Sequence, residues 1–213
     1  MPARKARTVG ELFNEYIAQL KDEGRLGYAL SVQQVCNSLL KYRGHLDIYF
    51  SEIDVNWLRA YESWLRRCDL ADNTIGIRFR TLRAVYNLAL AEGIVKVDCY
   101  PFKKYKVSKL HKETAKRAIT KEQVKQVIEY DVSGSRFYKR LAVDMFTFSY
   151  LMGGINFTDM ACLTDKNIEG ERLVYVRQKT KKLIMLALQE KAIEIMNRYR
   201  SPQRRYILPI LDN

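Results

Sequence analysis

A basic, polar segment in the middle of the chain is the feature that most constrains its fold. Residues 103–117 contain seven lysine or arginine residues, one acidic residue and no continuous apolar face. They follow Tyr100-Pro101, and proline disfavours helix in the residue before it. Because a like-charged stretch of this length repels itself, it does not build a core of its own. The sequence therefore predicts two folding units joined by a basic linker, which is either a solvated connection or a strap that closes around a polyanion.

The positive charge is not confined to this segment. The net charge is +13 over 213 residues, and both halves of the chain carry an excess of basic residues. Such a distribution is expected of a protein that contacts a phosphate backbone along its length. A hydrophobic fraction of 47% excludes a disordered basic tail. A nucleic-acid-binding protein is favoured, and the alternative is a helical protein-interaction module with a solvated basic surface.

The residues that commonly bind metals are few and scattered. No C-x-x-C motif occurs, and the cysteines and histidines are Cys36, Cys68, Cys99, Cys162, His45 and His111. A metal site is therefore not expected, and isolated thiols are typical of a reducing cytoplasm. The sequence has neither a signal peptide nor an apolar run of about 18 residues, so it predicts neither export nor a membrane span.

Apolar residues at helical spacing predict four helices before the linker. The first begins at the capping box formed by Thr8 and Glu11, and Ser31 is predicted to cap the second. In the third, Trp57 and Trp64 are expected to lie in the core. The four predicted helices cover about 8–20, 31–42, 55–67 and 73–92.

The fourth predicted helix separates apolar from polar residues most clearly. A polar row at i, i+4, i+7 and i+11 consists of Gly76, Arg80, Arg83 and Asn87. The glycine removes bulk and lets another surface approach closely. Asn73 and Thr74 stand where free backbone N–H groups and the helix dipole favour a phosphate. An ordinary amphipathic helix with a solvated basic face explains this pattern equally well.

The region after the linker mixes helices with a hairpin. A second capping box at Thr120 and Gln123 opens a helix to about residue 130. Alternating apolar residues predict a hairpin with strands at 172–177 and 183–188. Further helices are predicted at 135–151, 157–163 and 189–200. The last residues, 206–213, are apolar and lack a closing element, so we expect the chain to stop within a domain.

Several segments together resemble the tyrosine recombinase (phage integrase) family, and within it the integrases of mobile elements. Residues 73–89 resemble the last helix of that family's core-binding domain, and 100–103 with 116–123 resemble its interdomain junction. The segment 146–163 is similar to the block that carries the first catalytic arginine. The segment Arg177-Gln-Lys-Thr-Lys-Lys is similar to the hairpin that carries the catalytic lysine.

The resemblance implies a mainly α fold with two domains. A four-helix, SAM-like core-binding domain is followed by the first half of an α/β catalytic domain with a small β-hairpin. Residues 1–7 are expected to form a flexible N-terminus and 8–101 the DNA-binding core-binding domain. Residues 102–117 are expected to form the basic linker, and 118–213 the partial catalytic domain.

The resemblance also implies a reaction. A tyrosine of the family attacks a DNA phosphate, giving a 3′-phosphotyrosyl link and a free 5′-hydroxyl, during integration or excision of a mobile element. Two arginines and a histidine stabilise the phosphate charge, and a lysine protonates the leaving oxygen. The implied partner is double-stranded DNA at an attachment site in the bacterial nucleoid, bound by a homo-oligomer. No cofactor, membrane or small-molecule substrate is implied.

Several positions depart from the family pattern. Lys179 fits the lysine position, but the first arginine position falls on Asn156, and Gly153 occupies the other place where relatives carry arginine. No histidine is followed by arginine three residues on, and Tyr199 and Tyr206 precede the region of the nucleophile. We therefore expect a chain that is truncated within the catalytic domain and does not cleave DNA. The alternative is a non-catalytic DNA-binding protein derived from an integrase.

Twelve residues are predicted to contact DNA. They come from the start and polar side of the fourth helix and from the basic segment. They are Asn73, Thr74, Arg78, Arg80, Arg83, Lys103, Lys104, Lys106, Lys109, Lys112, Lys116 and Arg117.

Overall fold

The computed structural model describes residues 7–115 and 118–211 of the chain. These residues form two compact units, Met1–Ala115 and Lys116–Asn213. Both are mainly helical, and the second contains a small antiparallel sheet, which confirms the predicted fold class. No helix among the described residues is long and apolar enough to cross a membrane.

The first unit is built from four α-helices: α1 (Val9–Asp22), α2 (Leu26–Arg43), α3 (Val55–Arg67) and α4 (Asp72–Ala91). The predicted capping box opens α1, because the Thr8 hydroxyl accepts from the Glu11 N–H and the Glu11 carboxylate accepts from the Thr8 N–H. Helix α2 begins earlier than predicted. Its first turn is closed by backbone bonds to the Arg25 carbonyl, so Ser31 lies inside the helix rather than at its cap.

Aromatic side chains fill the centre of the first unit. Tyr61 and Phe79 are fully buried, with ring centroids 5.6 Å apart. The ring of Tyr42 packs between Trp57 and Trp64 at 5.5 and 5.4 Å. Both tryptophans pack against the core as predicted, although each keeps part of its surface exposed. Aromatic pairs in such tilted and edge-on arrangements stabilise a core beyond their buried area.

Most of the segment predicted as a linker belongs to the first unit. Two 3₁₀ turns, Pro101–Lys103 and Val107–Leu110, place Tyr105, Val107 and Leu110 in the core with 1–3% exposure. These apolar residues match neither the helical nor the strand period, which is why the sequence shows no apolar face. Because a 3₁₀ helix has three residues per turn, Val107–Leu110 places Val107 and Leu110 on the same side. The first unit therefore extends beyond residue 101, and residues 111–115 form an exposed segment without regular structure.

The second unit combines four helices with a three-stranded sheet. Its helices are α5 (Lys121–Ile128), α6 (Phe137–Leu151), α7 (Phe157–Ala161) and α8 (Glu190–Tyr199). Its strands are β1 (Ile168–Glu169), β2 (Arg172–Val176) and β3 (Leu183–Ala187), antiparallel in the order β1-β2-β3. The predicted hairpin is confirmed by the β2–β3 pairing, which aligns Val174 with Met185. Strand β1 was not predicted, because two residues are too few to show an alternating pattern.

A buried carboxylate links two helices of the second unit. Asp144 on α6 is 6% exposed and accepts from Arg198 at 2.7 and 2.9 Å and from the Tyr199 hydroxyl at 2.7 Å. Because a buried charge without partners is costly, these bonds fix α8 against α6. The segment after α8 also packs on this core, since Ile207 is buried and donates its N–H to the Leu163 carbonyl at 2.9 Å.

Candidate nucleic-acid interface and catalytic residues

The arginines of α4 lie on two different faces of the helix. Arg80 and Arg83 are exposed, as expected for the polar row. Arg78 is half-buried and lines a cleft of ≈ 290 Å³ together with Lys41 and Cys68. Residues two positions apart on a helix point in nearly opposite directions, so Arg78 does not share a surface with Arg80. The structure thus keeps Arg80 and Arg83 together and separates Arg78 from them.

The polar row of α4 is approached by the chain itself. A Cβ atom added at Gly76 would lie 3.3 Å from the Leu110 carbonyl oxygen and 3.4 Å from the Leu110 Cβ. The close approach predicted for this glycine therefore occurs, and the approaching surface is the second 3₁₀ turn.

Residues 101–112, which we call the strap, run antiparallel to α4. The ring of Phe102 lies 5.8 Å from that of Tyr86, near the C-terminal end of α4. The ring of Tyr105 stacks on Phe79 at 5.0 Å, one step toward the N-terminal end. Lys112 closes the series beside Asn73, at the first turn of α4. Apolar side chains thus hold the strap along the helix and leave its lysines at the surface.

The N-terminus of α4 is occupied by the strap. The Asn73 side-chain amide donates to the Lys112 carbonyl at 2.8 Å, and its oxygen accepts from the Lys112 N–H at 2.9 Å. The N–H of Thr74 bonds to the Ala71 carbonyl at 2.9 Å. The structure therefore directs the Asn73 amide and the Thr74 N–H to the protein's own backbone, although the sequence pattern predicted a phosphate there.

Two carboxylates of the first unit form ion pairs with two lysines of the strap. Glu62 accepts from the Tyr105 hydroxyl at 2.6 Å and lies 2.7 Å from Lys109 Nζ. Asp72 lies 2.5 Å from Lys112 Nζ. Arg66 joins the two, 3.0 Å from Glu62 and 2.6 Å from Asp72. Neither acidic residue belongs to a sequence motif, and each meets the strap through a contact between distant parts of the chain.

The ion pairs shift the ionisation of the groups that take part. Burial raises the pKa of Glu62, but hydrogen bonds from Lys109, Tyr105 and Arg66 outweigh it and hold that pKa below its ordinary value. The pKa of Asp72 is lowered chiefly by Lys112 and then by Arg66. Burial, followed by the bond to Glu62, raises the pKa of the Tyr105 hydroxyl well above its ordinary value. Both carboxylates therefore stay ionised at neutral pH while Tyr105 stays protonated.

The remaining predicted DNA contacts have simpler surroundings. Lys103, Lys104 and Lys106 are exposed on the strap. Lys116 and Arg117 lie outside the described residues. Of the predicted contacts, Arg80 and Arg83 on α4 and Lys103, Lys104 and Lys106 on the strap are therefore exposed cations, whereas Lys109 and Lys112 are paired to carboxylates. We call these five exposed cations the basic surface of the first unit.

In the second unit, Asn156 has a structural role at the start of α7. Its side-chain oxygen accepts from the Asp159 N–H at 2.9 Å, which caps the helix, and its amide donates to the Asp159 carboxylate. Asp159 is 4% exposed, and its other oxygen accepts from the Gln178 N–H at 2.9 Å. This relay joins the N-terminus of α7 to the turn between β2 and β3.

Lys179 lies in that turn and is exposed. The turn is closed by backbone bonds between Arg177 and both Lys181 and Lys182, each 2.8 Å long. Lys181 has a φ of 55°, a left-handed conformation that tightens the turn. Arg177 extends the inward face of β2 beyond Tyr175, and its Nε is buried without a hydrogen-bond partner among the described residues. The alternation of apolar residues along β2 is the sequence signal that could have predicted an inward position for Arg177.

Two tyrosines, Tyr199 and Tyr206, precede the region where the resemblance predicts the nucleophile. Tyr199 is 6% exposed and donates its hydroxyl proton to Asp144. Burial, and then the bond to Asp144, raises the pKa of Tyr199 well above its ordinary value. A buried, protonated phenol of this kind holds the core together and is not available to attack a phosphate. Tyr206 is half-buried, with the Arg205 guanidinium 5.4 Å from its ring centre.

Comparisons with known proteins identify the fold. Residues 8–107 match the model of the phage integrase SAM-like domain. A lambda integrase tetramer bound to a Holliday junction superposes with a TM-score of 0.67 at 15% identity, covering 95% of this chain and 59% of that one. A Tn1549 transposon integrase in complex with a circular intermediate DNA gives 0.65 at 14% identity, covering 92% and 66%. No curated protein matches by sequence.

The chain has the fold of the integrases on which it superposes, and the predicted resemblance to that family is confirmed. Residues 8–107 form a phage integrase SAM-like domain, and this match reaches past residue 101 into the strap. The chain spans 59% of the length of the lambda integrase chain that it matches.

Proposed function

We propose that this chain binds double-stranded DNA as part of a site-specific tyrosine recombinase that integrates or excises a mobile element. The observation that carries the proposal is the basic surface along α4 and the strap, formed on a phage integrase SAM-like domain. Its cations are exposed, so they can reach phosphates without unfolding the domain. Phosphate contacts of this kind give affinity and register, whereas sequence reading requires contacts to base edges.

The second unit is proposed to act at the phosphate that is cut. The reaction would pass through a 3′-phosphotyrosyl link, with Lys179 as the general acid that protonates the leaving 5′-oxygen. The exposed position of Lys179 in a turn closed by backbone bonds supports this role. The relay from Asn156 through Asp159 to the Gln178 N–H holds that turn in place. The proposed domain division assigns residues 118–213 to this catalytic part.

A non-catalytic DNA-binding function is a second candidate, and Asn156 is the observation that favours it. At the family's first arginine position this residue caps α7 and bonds to Asp159, and it carries no positive charge toward a phosphate. Gly153, at the other position, has a φ of 62° and no side chain. A protein of this kind would occupy attachment sites and regulate the element without cutting DNA.

Duplex binding at several salt concentrations tests the proposal against a protein-interaction module. Affinity for duplex DNA should fall linearly on a log–log plot, with a slope of about −0.9 for each phosphate contact. Absence of salt-dependent duplex binding by the folded chain would refute both DNA-binding candidates. In a form of the protein that includes the nucleophilic tyrosine implied by the resemblance, a covalent DNA adduct captured on a nicked substrate would then separate the recombinase from the non-catalytic protein.

A further inference from the structure

Two lysines of the strap are paired with acidic residues although their heads lie at the surface. Lys109 Nζ is 2.7 Å from Glu62, and Lys112 Nζ is 2.5 Å from Asp72. The lysine side chains are 47% and 71% exposed, whereas the carboxylates are only 13% and 12% exposed. The carboxylates are therefore fixed in the domain surface, and the lysine heads can turn outward into solvent. Ion pairs with such an exposed partner contribute little to stability, so they exchange readily.

The surroundings allow the lysines to leave without unfolding the strap. Glu62 keeps the Tyr105 hydroxyl at 2.6 Å, and Arg66 remains close to both carboxylates. The backbone at Lys112 stays held by the paired hydrogen bonds to Asn73. The paired bonds to Asn73 and the burial of Val107 and Leu110 involve no lysine ammonium group, although the Lys109 ammonium also lies 4.3 Å from the centre of the Tyr105 ring. Only the two heads need to change partner.

We infer that Glu62 and Asp72 form a latch, which holds Lys109 and Lys112 in the free protein and yields them to DNA phosphates when a duplex lies along the strap. This inference rests on the proposed DNA-binding function and concerns its regulation. Phosphate oxygens offer the same charge-assisted bonds as the carboxylates, so each lysine exchanges one anionic partner for another. The latch holds the two lysine heads against the domain surface in the absence of DNA and supplies two further cations in its presence.

The exchange has a distinctive effect on salt dependence. A lysine that neutralises a phosphate releases about 0.9 of a condensed counterion. A lysine that leaves a carboxylate exposes a negative charge, which takes up a cation from solution and largely cancels that release. In the native protein the two lysines therefore add contacts while adding little to the salt slope. Without the carboxylates, the release is no longer cancelled.

The test measures duplex affinity of the 213-residue chain between about 50 and 200 mM salt. The variant is Glu62→Gln with Asp72→Asn, and the matched control is Asp69→Asn with Asp98→Asn, which removes two exposed acidic charges from the same unit. We expect the latch variant to bind more tightly, with a log–log slope steeper by about 1.8. The control should keep the native slope. Glu62→Gln alone retains an oxygen for Tyr105 and should steepen the slope by about half as much.

A second measurement follows the lysines directly. Acetylation of lysine amines in the native chain, read by mass spectrometry, should show Lys109 and Lys112 losing reactivity when duplex is added. Lys109→Gln with Lys112→Gln should weaken duplex binding.

Three results would overturn the latch while leaving DNA binding intact. They are a native slope in both latch variants, a control that steepens as much as the latch variant, and unchanged affinity when the two lysines are replaced. A folded chain that binds no duplex at any salt concentration would instead refute the proposed function itself.

Discussion

Replacing Arg80 and Arg83 by alanine is the most direct perturbation of the basic surface. Both side chains are exposed on α4, and neither forms an ion pair with the acidic residues that the structure describes. Each is therefore expected to contribute one full phosphate contact. Loss of two contacts should flatten the log–log salt slope by about 1.8. Between about 50 and 200 mM salt, a slope change of this size alters the ratio of native to variant affinity about tenfold.

The expected result is consequently a loss of affinity that depends on salt. At about 50 mM salt the double variant should bind duplex more weakly than the native chain, and the deficit should shrink about tenfold by 200 mM. Fluorescence anisotropy with a labelled duplex measures both quantities. Because the two arginines contact no base in this interpretation, the loss should be the same for unrelated duplex sequences.

A matched pair on another helix distinguishes a specific surface from general charge. Arg59→Ala with Arg67→Ala removes the same charge from exposed positions on α3. This control should change the slope by much less than the α4 variant. Equal slopes for the native chain and the folded Arg80→Ala, Arg83→Ala variant would show that this face of α4 is only solvated.

Four other outcomes are expected. Proteolysis should cut the free chain after residue 112 rather than within the docked strap, and duplex should protect that segment; equal rates with saturating DNA would contradict a role in binding. Leu110→Ala should destabilise the first unit by about 2–5 kcal/mol in thermal unfolding, since it removes a side chain 1% exposed; a loss below 1 kcal/mol would show that the strap is not docked. Folding lowers the pKa values of Glu62 and Asp72, so the stability that they contribute is present above their unfolded pKa values of 4.5 and 3.8 and is lost as the pH falls through the lower folded values. Between about pH 6 and 3 the melting temperature should therefore fall less in Glu62→Gln with Asp72→Asn than in the native chain. An equal fall in both proteins would refute this. In a form of the protein that cleaves DNA, Lys179→Ala should slow cleavage of an ordinary substrate by about 10²–10⁴-fold. A substrate with a 5′-bridging phosphorothiolate should restore the rate, because sulfur leaves without a proton. Equal slowing on the two substrates would exclude Lys179 as the acid.

The sequence by itself determined the elements whose signals are local. Helical periodicity located α1, α3 and α4, and the capping boxes at Thr8 and Thr120 located two helix starts. Strand alternation located the β2–β3 hairpin and placed Lys179 in its turn. These features depend on residues within one or two turns of each other, so a linear pattern contains them. The order of the segments was enough to suggest the recombinase fold.

The tertiary structure alone decided which of the charged residues predicted to contact DNA are exposed and which are bonded to the protein itself. Glu62 and Lys109 are 47 positions apart, and Asn73 and Lys112 are 39 apart, yet each pair is in hydrogen-bond contact. Arg78 and Arg80 are near neighbours in sequence and lie on different faces. The strap docks because Tyr105, Val107 and Leu110 gain burial against α4, and no local period records that gain. Hydrophobic burial and ion pairing act between surfaces that only folding brings together. For that reason, most of the segment that the sequence predicts as a charged linker is part of a folded domain.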